Sequence, residues 1–166
     1  MPRNNKNIPV NAMTDNFCQS ISVDGDSFNK SDFKTAHQYE NLTQSHRDEG
    51  YTFHIVEKGM VHIEIDFIKY KIIGPAVVYM HPNQVHRILE FGNITVCSLA
   101  IKNENLNPDY LKFLEEIAPA KPLKLTKESN LIFSEIFSLC LKFFNQKANR
   151  LSFHLLKDSS ILWLLF

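Results

Sequence analysis

The segment Val61-His62-Ile63-Glu64-Ile65-Asp66-Phe67 alternates strictly, with Val61, Ile63, Ile65 and Phe67 on one side and His62, Glu64 and Asp66 on the other. A period of two puts these groups on opposite faces of a strand and on no single face of a helix. An all-helical chain is therefore excluded. Other strand signals lie close by. Tyr51 to Val56 comes first, and Lys58-Gly59 reads as a hairpin turn into the alternating segment. Tyr70, Ile72 and Ile73 make a short strand broken by Gly74-Pro75. Ala76 to Met80 follows, then a Pro82-Asn83 turn, then Arg87 to Phe91. Gly92-Asn93 is a second hairpin signal, and Ile94 to Ile101 closes the set. Short strands joined by Gly, Pro and Asn turns predict a sandwich or barrel.

Upstream, Phe17 to about Val23 reads as a first strand ended by Asp24-Gly25-Asp26. Residues 28–45 are polar with scattered aromatics and read as a loop holding at most a short element. Residues 1–16 are polar and Asn-rich, as in a flexible arm.

The pattern changes at Lys102. Asn107 caps a helix that has Pro108 at its first position and runs to about Ile117. Thr126-Lys127-Glu128-Ser129 starts a second, so apolar all round that it needs cover on more than one side. A third begins near Asn149, with Leu151, Leu155, Leu162 and Phe166 close to helical spacing. These four read as a seam between two copies or as a face against the second helix. The chain is thus an α+β protein with a leading β-barrel and two to three C-terminal helices. Its parts are an arm over 1–16, a barrel over 17–104 and a helical segment over 105–166.

Charge narrows the function. Lys plus Arg and Asp plus Glu both number 18 in 166 residues, whereas a DNA-binding surface draws on a basic excess. The final run Ile161 to Phe166 is too short to span a bilayer, and residues 1–7 lack the apolar core of a secretion signal. Cys18, Cys97 and Cys140 suggest neither a disulfide framework nor a zinc site, and a cytoplasmic location follows as the expectation.

Several residues together point to a family. His46, Tyr51-Thr52-Phe53, Glu57-Lys58-Gly59, Ile65-Asp66, Gly74-Pro75 and Tyr79-Met80-His81-Pro82-Asn83-Gln84-Val85-His86 resemble the effector-binding cupin domain of AraC-type transcription regulators. The resemblance covers roughly residues 17–166, and Pro82-Asn83-Gln84-Val85-His86 is its most specific part. Asn83 stands where that family usually has glycine, which Asn replaces readily in left-handed backbone. Pro75 departs from the usual acidic or small residue. The resemblance implies a cupin-like jelly roll that senses a small-molecule effector and homodimerises through its helices. It also implies that DNA is reached only through a C-terminal helix-turn-helix domain missing from this chain. No enzymatic activity, cofactor or membrane partner is implied. The alternative is a stand-alone cupin metalloenzyme, an isomerase or dioxygenase.

Candidate ligand contacts are His46, Phe53, Ile55, Tyr79, His86 and Arg87. His86 has two readings: an imidazole facing the lumen, or a cap on the turn packed on Tyr79. His46 lies in a polar loop, where a surface role is the commoner one. Phe53, Ile55 and Tyr79 could line a cavity, although such residues more often fill a core. Arg87 could clamp a carboxylate. A cupin-type metal would have to draw on His46, Glu49, His54, His81 and His86. His46-Arg47-Asp48 has aspartate at the second histidine of that pattern, so the expectation is no metal.

Overall fold

The computed structural model describes residues 7–12, 21–28, 40–118, 121–146 and 150–161. Its strands are β1 (Val10–Asn11), β2 (Ile21–Phe28), β3 (Arg47–Asp48), β4 (Tyr51–Lys58), β5 (Met60–Ile65), β6 (Ile68–Ile73), β7 (Ala76–Met80), β8 (His86–Phe91), β9 (Ile94–Ile101) and β10 (Leu123–Lys124). A helical turn at Glu40–Thr43 precedes β3, and α1 (Pro108–Ile117), α2 (Lys127–Asn145) and α3 (Arg150–Ile161) follow the barrel. One sheet has the order β10-β7-β4-β9-β2 and the other β6-β5-β8, while β1 and β3 form a small parallel pair.

Neither expected hairpin forms at Lys58-Gly59 or Gly92-Asn93. Between β4 and β9 the chain changes sheet at every connection except β5–β6. Gly59, Gly74 and Gly92 sit at three of these corners, knit by Gly74 N–H to Gly59 O at 3.0 Å and Gly92 N–H to Met60 O at 2.8 Å. Gly59 has φ +87°, and a Cβ there would lie 1.7 Å from Asn93 O, so the corner closes only around a residue without a side chain. Among the described residues the tight hairpin is at Asp66-Phe67, where both residues have positive φ, 48° and 68°. This is the turn whose twist suits a two-residue hairpin. Phe67 therefore does not continue the apolar face of β5. It is 81 % exposed at the turn tip.

β2 also differs from expectation. It runs straight through Asp24-Gly25-Asp26, pairing residue by residue with β9 from Ile21–Ile101 to Phe28–Ile94. Gly25 serves packing instead of turning: a Cβ there would lie 2.8 Å from the Phe137 ring of α2. Asn83 needs no left-handed backbone, since Asp66 and Phe67 are the only described non-glycine residues with positive φ.

Alternation along β4, β7 and β9 sorts the core into two rooms. Tyr51, Phe53, Ile55, Tyr79, Cys97, Leu99 and Ile101 pack towards the helices with Leu114, Phe133, Phe137, Cys140 and Leu156. The intervening Val56, Val78, Met80 and Ile94 pack with Val61, Ile63, Ile65, Ile72 and Phe91 between the two sheets. The helices start as their caps direct, with Asn107 accepting from Tyr110 N–H and Thr126 from Ser129 N–H. The architecture is α+β, a cupin-like jelly roll followed by three helices.

Leu151 and Leu155 are 60 % and 37 % exposed on α3, while Leu162 and Phe166 lie outside the described residues. α2 packs against both β2 and α3, while its Leu131 and Leu139 are exposed among the described residues. No described helix is long and apolar enough to cross a membrane.

Candidate functional site

The space between the sheets is a cavity of about 260 Å³. Its wall is hydrocarbon from both sheets: Val56, Val78, Ile94 and Val96 on one side, and Val61, Ile63, Ile72 and Ile88 on the other. Polarity is gathered by His46, Asp48, His54, His86, Ser98 and Asn11.

The backbone explains why these side chains meet. His46 and His86 form an isolated antiparallel bridge, exchanging N–H to O hydrogen bonds of 3.0 and 2.9 Å. Directly paired residues send their side chains the same way. The two rings meet edge to face, with centroids 4.3 Å apart. Asp48 is two residues beyond His46 and so shares its face. Its carboxylate stands 4.0 Å from His46 Nε2 and 3.4 Å from His86 Nε2. Asn11, brought in by the β1–β3 pairing, donates to Asp48 Oδ1 at 3.4 Å. His54 projects from the lumen face of β4 and bonds Ser98 Oγ through Nδ1 at 2.8 Å.

His86 is set by the turn before it. Asp66 accepts from Gln84 Nε2 at 2.9 Å and from Val85 N–H at 3.0 Å, while its own N–H bonds Val85 O at 2.8 Å. Gln84 Oε1 in turn accepts from His81 N–H at 3.0 Å. The Pro82-to-His86 motif is thus a braced corner, and its buried glutamine is a structural strut.

Burial dominates the electrostatics. It lowers His54 to about 4, against an opposing pull from Asp48, with His86 and His46 adding to the depression. His86 is also lowered, chiefly by burial, again opposed by Asp48. Both rings are therefore neutral at neutral pH.

Of the six expected ligand contacts, the structure brings His46 and His86 together at the cavity. Phe53, Ile55 and Tyr79 are not on its wall, because they occupy the opposite phase of β4 and β7 and face the helices. Tyr79 donates to Leu114 O at 3.1 Å in the helix-side core, whereas His86 lines the cavity between the sheets. Arg87 lies one residue out of phase with His86 and is held by Glu64 Oε1, 3.0 Å from both Nε and Nη2.

Among the other polar candidates, Glu49 pairs with Lys102 at 2.8 Å. His81 bonds Glu115 Oε1 at 2.9 Å, and Tyr51 donates to the same oxygen at 2.7 Å, holding that carboxyl below its ordinary value. His54, Asp48, Ser98 and Asn11 were not read from sequence as a set. The phase of β4 could have placed His54 beside Val56; Asn11 has no local signal.

His46, Asp48 and His86 offer one ligand atom each, all within 4.8 Å of one another, and could hold a metal ion. First-row divalent ions with bonds of about 2.1 Å hold neighbouring ligand atoms roughly 3.0–3.4 Å apart. Only the His86–Asp48 separation of 3.4 Å matches that, so the set is wider than a metal's own shell.

No family model matches the chain, and no curated protein matches it. Solved structures do. ToxT from Vibrio cholerae is 18 % identical, with a TM-score of 0.45, over 84 % of this chain and 51 % of that one. The AraC-like transcriptional activator CuxR is 9 % identical, with a TM-score of 0.42, over 87 % and 49 %. A cupin protein from Bacteroides fragilis is 15 % identical, with a TM-score of 0.39, over 53 % and 70 %. The chain thus spans about half the length of the ToxT and CuxR chains. Likeness at this level adds nothing to what the two facing sheets already define.

Proposed function

We propose that this chain is the ligand-sensing and dimerising part of an AraC-type DNA-binding transcription regulator, acting without catalysis. The observation that carries this reading is the cup itself: a cavity with hydrocarbon walls and its hydrogen-bonding groups collected around one pair of histidines. That division orients an amphipathic small molecule. Asn11 of β1 donates to Asp48, which ties residues 10–11 to the same cavity and supports a role for them in reporting on it. DNA contact belongs to a helix-turn-helix domain beyond this segment.

A thermal-shift screen of small organic molecules tests the sensor reading. A binder is expected to raise the melting temperature, and Val96→Phe, which fills the lumen, should abolish the rise. A screen in which no compound stabilises the protein, or in which Val96→Phe changes nothing, removes the reading.

The dimer rests on exposed leucines of α2 and α3. Light scattering at micromolar concentration is expected to give twice the chain mass, and Leu151→Asp with Leu155→Asp should give a folded monomer. A monomeric parent chain would end the dimer assignment.

The grouping of His46, Asp48 and His86 favours a second reading, a stand-alone cupin metalloenzyme. Stoichiometric metal in the purified protein would support it.

A further inference from the structure

The histidine pair is held as a pair of acceptors. His46 Nδ1 lies 2.8 Å from Gln44 O, and His86 Nδ1 lies 3.3 Å from Gln84 O. A carbonyl oxygen only accepts, so each Nδ1 carries the ring proton, and each Nε2 of a neutral ring keeps a lone pair. Both lone pairs are turned towards the Asp48 carboxylate. Three acceptors thus converge on one small space. Among the described residues, the further side-chain donor on that carboxylate is Asn11 Nδ2, at a long 3.4 Å. Acceptors that outnumber donors in a low-dielectric space are costly, and an occupant that brings donors relieves them.

We propose that the lumen binds a small primary amine, its ammonium group seated between His46, Asp48 and His86 and its apolar body lying along the hydrocarbon wall. The proposal rests on the sensor reading and specifies its ligand. An ammonium has three N–H donors for three acceptors. Acceptors about 2.9 Å from a tetrahedral nitrogen stand roughly 4.7 Å apart. The His46–Asp48 separation of 4.0 Å lies between that figure and a metal's shell and the His86–Asp48 separation of 3.4 Å is closer to the metal's, so it is the wall that favours an organic cation. A bare ion would leave the apolar wall without a partner. A carboxylate head would face Asp48 with like charge, and a hydroxyl would satisfy only part of the set. The volume of about 260 Å³ holds roughly nine groups of ~30 Å³ each, the size of an arylalkylamine.

Isothermal titration of the whole chain with 2-phenylethylamine, 2-phenylethanol and phenylacetate separates the possibilities, since the three share one body. The amine is expected to bind at least tenfold more tightly than the alcohol, with the carboxylate weakest. Asp48→Asn should weaken the amine tenfold or more while leaving alcohol binding within about threefold. Val96→Phe should remove both. Carboxylate or alcohol binding equal to or tighter than the amine's would overturn the amine assignment and leave the sensor reading standing. Binding by none of the three overturns this proposal, while the broader ligand screen judges the sensor reading by itself. One-to-one binding of Zn²⁺ or Ni²⁺ that excludes the amine, and is lost in His46→Ala, overturns it in favour of a metal.

Discussion

Gly59→Ala is expected to cost about 3 kcal/mol or more, enough to lower the melting temperature sharply or prevent folding. Two effects add. A left-handed backbone without glycine stores on the order of 1–3 kcal/mol. The new Cβ also meets backbone: Asn93 O at 1.7 Å, Asn93 C at 2.7 Å and Ile94 Cα at 2.8 Å. No rotamer relieves that overlap, so the β4–β5 corner must separate from the β8–β9 corner. Gly92→Ala is the control. Its nearest atom is Met60 O at 3.9 Å, and its cost should stay within about 1 kcal/mol. Urea unfolding of both variants measures the difference. Equal stabilities would mean that the corners are not packed as described.

The second large effect is acid destabilisation. In the unfolded chain His54 takes up its proton near 6.5, but in the folded protein only at about 4. Between those values the unfolded state binds more protons, so stability is greatest above pH 7 and falls as the pH falls. His86 is depressed in the same sense and adds to the slope. The loss from pH 7 to pH 4 is expected to be about 2–3 kcal/mol, read from denaturant midpoints at several pH values. His54→Gln should flatten much of the slope. A stability independent of pH over this interval would show that the imidazole is solvated and not enclosed by the two sheets.

Much of this was legible in the sequence, for reasons particular residues make plain. The alternation in β5, the Asn107-Pro108 and Thr126 caps and the break at Lys102 are local signals, and the structure follows them. What failed was long-range. Gly59 and Gly92 signal a change of direction equally well whether the next strand pairs with its predecessor or crosses to the facing sheet. Gly25 reads as a turn because nothing local reveals Phe137 lying over it. The site shows the same limit. His46 and His86 stand out as types, but nothing local decides between lumen and core for Phe53, Ile55 and Tyr79, which the fold places in the core. Assigning phase requires knowing that the helices cover one side of β4 and β7 while the second sheet covers the other. The hydrophobicity of both faces, a consequence of that double cover, erases the usual inside–outside contrast.

In β4 the sequence Phe53-His54-Ile55-Val56 alternates between two enclosed compartments, and β9 does the same with Cys97-Ser98-Leu99. Inserting or deleting a single residue upstream of these positions, within either strand, would exchange their contents, driving an imidazole into the helical core and a benzyl ring into the ligand space. Evolutionary length variation should therefore be barred from β4, β7 and β9 and concentrate in exposed connections such as Asn103-Glu104, which belong to neither compartment.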